Sequence, residues 1–153
     1  GWAKELLLTF GLILSIAINK LVALIPIIGA LEEGNASLFW IRLVITATLA
    51  FFGYQAVVSI QRLSARSTRE RVQDSLFGAV IGGINGYLLF GSIWYYLHVM
   101  GYSDLGFVPP APGTLIGDAA LLVVNYLPPY LFGGVGIFVA VVLILIFVVI
   151  VYI

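Results

Sequence analysis

Residues 76–99 read LFGAVIGGINGYLLFGSIWYYLHV, 24 consecutive positions without Asp, Glu, Lys or Arg. As an α-helix rising about 1.5 Å per residue, this stretch extends about 36 Å, enough to cross the roughly 30 Å hydrocarbon layer of a bilayer. Trp94, Tyr95 and Tyr96 stand near its end. Amphipathic rings of that kind collect at the membrane–water boundary. The segment therefore predicts a transmembrane helix that closes on an aromatic belt.

Composition extends that reading to the whole chain. Of 153 residues, 62% are hydrophobic and 9% charged, with a mean hydropathy of +1.16. A soluble domain carries roughly 45–50% apolar and about 25% charged residues. One soluble core of this size cannot hide so much apolar surface, so lipid has to solvate it. The formal net charge is zero, which argues against a nucleic-acid partner. The absence of cysteine removes disulfides, thiol nucleophiles and cysteine-ligated metals together.

Working outward from 76–99, further helices are predicted over about 4–30, 38–60 and 135–153. Within the first, Lys20 is read as snorkelling to an interface, and Pro26 as a kink or the start of an interfacial piece. Glu32 to Asn35 is a turn, Trp40 anchors the second span, and Arg42 lies just inside it. The apolar segment 114–127 is bracketed by Pro112 and Pro128-Pro129. It covers only about 21 Å, so a short re-entrant or interfacial helix is expected there. The last segment is nearly pure Val, Ile, Leu and Phe, which suits a lipid-facing edge. The expected architecture is all-α: a single transmembrane domain over 1–153, with four hydrophobic spans plus the short helix. The start at Gly1 and the stop at Ile153 inside an apolar run predict a chain trimmed at both ends.

Charge sets an expected orientation. Arg62, Arg66, Arg69 and Arg71 crowd the polar stretch 61–74, while Glu32, Glu33, Asp104 and Asp118 fall on the opposite side. The positive-inside rule places the arginine loop in the cytoplasm, where it fixes topology or meets anionic lipid or a partner.

Several residues are candidates for function. Gly78, Gly82 and Gly86 recur every four positions beside Asn85. Such spacing lets another backbone approach closely, and Asn85 can hydrogen-bond across the contact. The contact is either ordinary helix packing or the docking of a cofactor or partner. His98 is the only histidine, so it either ends the aromatic belt or ligates a haem or chlorophyll-type pigment. With no second histidine, bis-His haem ligation is excluded. Asp118 is the one carboxylate with a chance of burial in an apolar segment, where an acid is a functional candidate. No serine-histidine-acid, metal or phosphate-loop pattern is present.

The order Gly1-Trp2-x-Lys4-Glu5-Leu6-Leu7, a second span, a basic loop, and then Arg71-Val-Gln-Asp74-Ser-Leu-Phe-Gly78 with Gly82 and Gly86 resembles the bacterial colicin V production protein family. The segment from Pro112 to Leu127 is similar to that family's proline-led amphipathic stretch. The resemblance covers roughly residues 1–130. It implies a bacterial inner-membrane protein linked to export or envelope upkeep, with a further N-terminal span and no catalytic residue. A second reading is a small structural subunit of a photosynthetic or respiratory membrane complex, packing through 76–99 and touching pigment or lipid. Lipid and other transmembrane subunits are the partners expected under both.

Overall fold

The computed structural model describes residues 2–22, 24–29, 36–61, 68–102 and 105–152, and every element among them is helical. The first helix, α1, spans Trp2–Val22 and carries Glu5 in its first turn and Lys20 in its last. Both charges suit the helix dipole at the end they occupy. The helix expected over 4–30 is divided. After Val22 the chain turns through Leu24 and Ile25, whose amides bond to Leu21 and Val22. A four-residue helix, α2, then opens at Pro26 and runs to Gly29. Proline lacks an amide hydrogen and is preset for a first turn, so it starts the new helix rather than kinking the old one.

Helix α3 covers Ala36–Gln61, close to the expected 38–60. Helix α4 covers Thr68–Met100 and begins eight residues before the expected 76. The added turns contain Arg69, Glu70, Arg71 and Gln73, all good helix formers with no breaker among them. Hydropathy marks where lipid begins, and a helix need not begin there. Helices α5 (Leu115–Val124) and α6 (Pro128–Leu131) make up the short segment. Helix α7 is Gly136–Tyr152.

Three helices are long and apolar enough to cross a membrane, through Glu5–Val22, Ala36–Gln55 and Val72–Met100. Helix α5 has 10 residues and α7 has 17. The chain is thus an all-helical protein with three candidate transmembrane helices among the described residues, and α7 stands beside them as a shorter apolar helix.

Side-chain contacts fix the directions. Asn19 meets Tyr96 and Glu5 meets Asn85, so α1 and α4 run the same way. Asn19 also meets Thr46, while Gly11 lies against Leu49 and Gly53, so α3 runs opposite to α1. Phe10 packs edge-on against Phe147 at 6.1 Å, and Ile137 shares a core with Leu12, Ile16, Ala17 and Leu88. Helix α7 therefore runs down α1 in the reverse direction. It buries Ile137 and exposes Val142, Leu143, Leu145 and Ile146.

The tightest approach between spans is at two glycines outside the expected stripe. A Cβ on Gly11 would stand 2.7 Å from the Leu49 carbonyl oxygen, and one on Gly53 would stand 3.0 Å from that of Leu7. With no hydrophobic drive between helices in lipid, such backbone proximity supplies the dispersion that holds α1 to α3.

Candidate functional site

Two polar groups lie between the apolar helices, one near each end of α1. The first is centred on Asn19, which is 3% exposed. Its Nδ2 donates to the hydroxyls of Thr46 at 3.2 Å and Tyr96 at 3.1 Å, and reaches the Arg42 carbonyl at 3.4 Å. Thr46 donates back to that carbonyl at 2.8 Å, one helical turn earlier. The guanidinium carbon of Arg42 stands 5.4 Å from the centre of the Tyr96 ring, and that ring face attracts the cation. Lys20 donates to the Phe132 carbonyl at 2.5 Å, tying α1 to the end of α6. Asn19, Lys20, Arg42, Tyr95, Tyr96 and Pro129 line a cavity of about 440 Å³.

The second group joins the start of α1 to the middle of α4. Asn85 Nδ2 donates at 2.8 Å to the Glu5 carbonyl and at 2.8 Å to a Glu5 carboxylate oxygen. The Thr9 hydroxyl lies 2.5 Å from Asn85 Oδ1 and 2.8 Å from the Glu5 carbonyl. It has one proton to give, and both oxygens stand within its reach. Inside lipid each of these groups would otherwise go unsatisfied, at a cost of several kcal/mol by the rough scale for polar transfer.

The glycine stripe does not form one straight groove. Residues four apart on a helix drift by about 40° per step, so Gly78, Gly82 and Gly86 wind from the Asn85 side toward the exposed side. A Cβ on Gly82 would meet the Glu5 carboxylate at 3.7 Å, while Gly83 and Gly86 would meet nothing within 4 Å. Asn85 itself is buried and engaged with α1.

His98 Nδ1 is 3.0 Å from the Tyr102 hydroxyl, which also accepts from Trp94 Nε1 at 3.1 Å. The Tyr102 hydroxyl is thus shared between Trp94, which donates to it, and the His98 ring. Tyr102 holds a positive φ of 67° just after Gly101, so the chain reverses sharply to bring the phenol back. Among the described residues there is no cluster of three His, Cys, Asp or Glu that could hold a metal. Asp118 is exposed and accepts from the Gly113 amide at 2.9 Å, while Thr114 caps α5 by accepting from Gly117 at 3.0 Å. Burial is not its situation; it stitches the loop that enters α5. Of the arginine loop, Arg69 and Arg71 belong to the first turn of α4 by backbone, and Arg62 and Arg66 lie outside the described residues, as do Glu32, Glu33 and Asp104.

Neither buried group was assembled by sequence reasoning. The signal lay in polar residues spaced by four within apolar runs, Ser15 with Asn19 on α1 and Arg42 with Thr46 on α3. That spacing puts each pair on one helix face. Compared with family models, curated proteins and solved structures, the chain matches none.

Proposed function

We propose that the chain is a non-catalytic, four-span protein of the bacterial cytoplasmic membrane, of the colicin V production type. It serves export or envelope homeostasis by packing against other membrane-embedded helices through α4. One observation carries the packing. Gly83 and Gly86 leave open space where a side chain would stand, on a helix whose buried amide, Asn85, is already committed to α1. Glycine within a helix costs roughly 0.5–1 kcal/mol relative to alanine. In a membrane that cost is met where a second backbone comes close. The fourth span is α7, which passes Ile16 at its start and Phe10 near its end and so travels through the same layer as α1. The residues of 61–74 lie on the cytoplasmic side under the positive-inside rule.

The test is Gly86→Leu in the full protein. Assembly on a native gel is expected to fall while membrane insertion is kept, and unchanged assembly refutes the packing role. Gly82→Leu is a less clean probe, because its side chain would also disturb Glu5.

A second reading, a structural subunit of a photosynthetic or respiratory complex, is favoured by the exposed aromatic rings of α4. Phe77, Tyr87 and Phe90 are all exposed there, and flat rings suit contact with pigment or a larger subunit. Native purification followed by a visible absorption spectrum separates the two. Co-purified pigment-bearing partners support the subunit, and a colourless solitary oligomer supports the export protein.

A further inference from the structure

The cavity beside Asn19 lies at the opposite end of the bundle from the Glu5 group and sets hydrogen-bonding groups among apolar walls. Asn19 lines it and is almost wholly buried. Its Nδ2 is taken up by α3 and α4, through Thr46 and Tyr96. Oδ1, on the other arm of the amide, is buried and finds no donor among the described residues. A buried acceptor without a donor is a cost to the fold that a bound O–H removes. Lys20, the next residue, lines the same cavity and gives one of its three ammonium donors to the Phe132 carbonyl. A hydroxyl serves both neighbours at once, donating its proton to Asn19 Oδ1 and accepting from Lys20. Being uncharged, it asks for no counter-charge from the site, as a buried ion would.

Size and depth narrow what carries that hydroxyl. The volume of about 440 Å³ far exceeds the roughly 30 Å³ share of one water. Ile16, Val99, Pro129 and the rings of Tyr95 and Tyr96 supply the walls. A few polar groups on apolar and aromatic walls, in roughly 300–1,000 Å³, are usual for small-molecule sites. Tyr95 and Tyr96 follow Trp94 in the chain, and aromatic belts of this kind sit at headgroup level. We infer that this cavity binds an uncharged, hydroxyl-bearing lipid headgroup, such as the sugar of a glycosyl diacylglycerol, with Asn19 Oδ1 accepting from it and Lys20 donating to it. Helix α6 brings Pro129 to the wall, held by the contact of Pro128 with Gly91 and by the bond from Lys20 to Phe132. The site does not depend on the packing proposed for Gly83 and Gly86.

The full protein is reconstituted in nanodiscs of equal phosphatidylcholine and monoglucosyl diacylglycerol with the same acyl chains, then transferred to mild detergent. Retained lipid is counted by native mass spectrometry. One glucolipid is expected to stay in preference to phosphatidylcholine, whose headgroup has no donor. The decisive comparison leaves the protein unaltered and methylates the sugar hydroxyls. Retention should then fall about five-fold, the factor for one hydrogen bond of roughly 1 kcal/mol. Val99→Phe fills the cavity from its apolar wall, spares the partners of Asn19, and should abolish the preference. Lys20→Met should weaken retention, and Lys20→Arg, which keeps the donors, should restore it. Equal retention of the methylated lipid, or a preference that survives Val99→Phe, overturns the assignment. Free glucose, added to lipid-depleted protein in a thermal-shift assay, distinguishes the sources. A shift that Val99→Phe removes, without any glucolipid preference, gives the cavity to a soluble polyol and overturns the lipid. Neither shift nor preference would overturn the hydroxyl site itself.

Discussion

Asn85 of α4 uses a single amide nitrogen to hold two acceptors of Glu5 on α1, the backbone carbonyl and the carboxylate, each at 2.8 Å. Eighty positions apart in sequence, the two residues fix the relative height of the two helices. The carboxylate in turn lies over Gly82, where a larger residue would push it aside.

Asn85→Leu should therefore destabilise the bundle by about 1–2 kcal/mol, the upper range for polar contacts between membrane helices. Asn85→Asp should be worse, because it sets a second carboxylate against Glu5. Equilibrium unfolding in mixed micelles measures both. An Asp variant as stable as the parent would place the Glu5 side chain elsewhere.

Glycines on two helices should respond in opposite senses to added methyl groups. Gly11→Ala forces a Cβ within 2.7 Å of the Leu49 carbonyl, and overpacking of this sort costs roughly 1–3 kcal/mol. Gly86→Ala enters open space and should be neutral or gain up to about 1 kcal/mol through helix propensity. The same unfolding assay ranks them, and a reversed order would contradict the α1–α3 contact.

Helix α6 docks on α4 where Pro128 meets Gly91. A Cβ on Gly91 would stand 2.7 Å from the proline Cδ. Gly91→Ala should destabilise, and Pro128→Ala in the same chain should recover part of the loss. A double-mutant cycle is expected to give a coupling of about 0.5–3 kcal/mol, as for residues in direct contact. Strict additivity would separate the two positions.

Tyr102→Phe removes the acceptor of Trp94 and the partner of His98. The expected cost is about 1 kcal/mol for a hydrogen bond of this type. A changed Trp94 emission maximum would report it, with Trp2 and Trp40 replaced by Phe in both proteins compared. An unchanged maximum would remove Tyr102 from the indole.

Much of the fold was legible because lipid writes it in long apolar runs. Segments 38–60 and 76–99 emerge as α3 and as most of α4, and the prolines around 114–127 mark a helix too short to cross. The polar start of α4 was hidden, since hydropathy is silent about helices in water. Among the described residues three helices are long and apolar enough to cross where four spans were expected, because α7, at 17 residues, falls short on length. The sites were less legible still. Asn19 and Lys20 mark an apparent end to one apolar run, and nothing local says that Thr46, Arg42 and Tyr96 come to meet them. Nothing near Glu5 in the sequence points to Asn85, which the fold places beside it. Long-range pairs of this kind depend on which helices are neighbours, and that choice is spread over many weak packing terms.

Helix α4 carries a candidate span, Val72–Met100, of 29 residues, whose one charged side chain is Asp74 near its start. At about 1.5 Å per residue this measures about 43 Å against a hydrocarbon thickness of about 30 Å. Upright, it would mismatch an ordinary bilayer. Leaning, puckering the leaflet or recruiting a neighbour to cover the excess are the available remedies, each costing fractions of a kcal/mol per Å. Such a helix is sensitive to bilayer thickness, so acyl-chain length becomes a variable that can tilt or sort the protein without any ligand. Oriented infrared dichroism in short- and long-chain bilayers reads that tilt directly, and a tilt indifferent to chain length would assign the extra length to water.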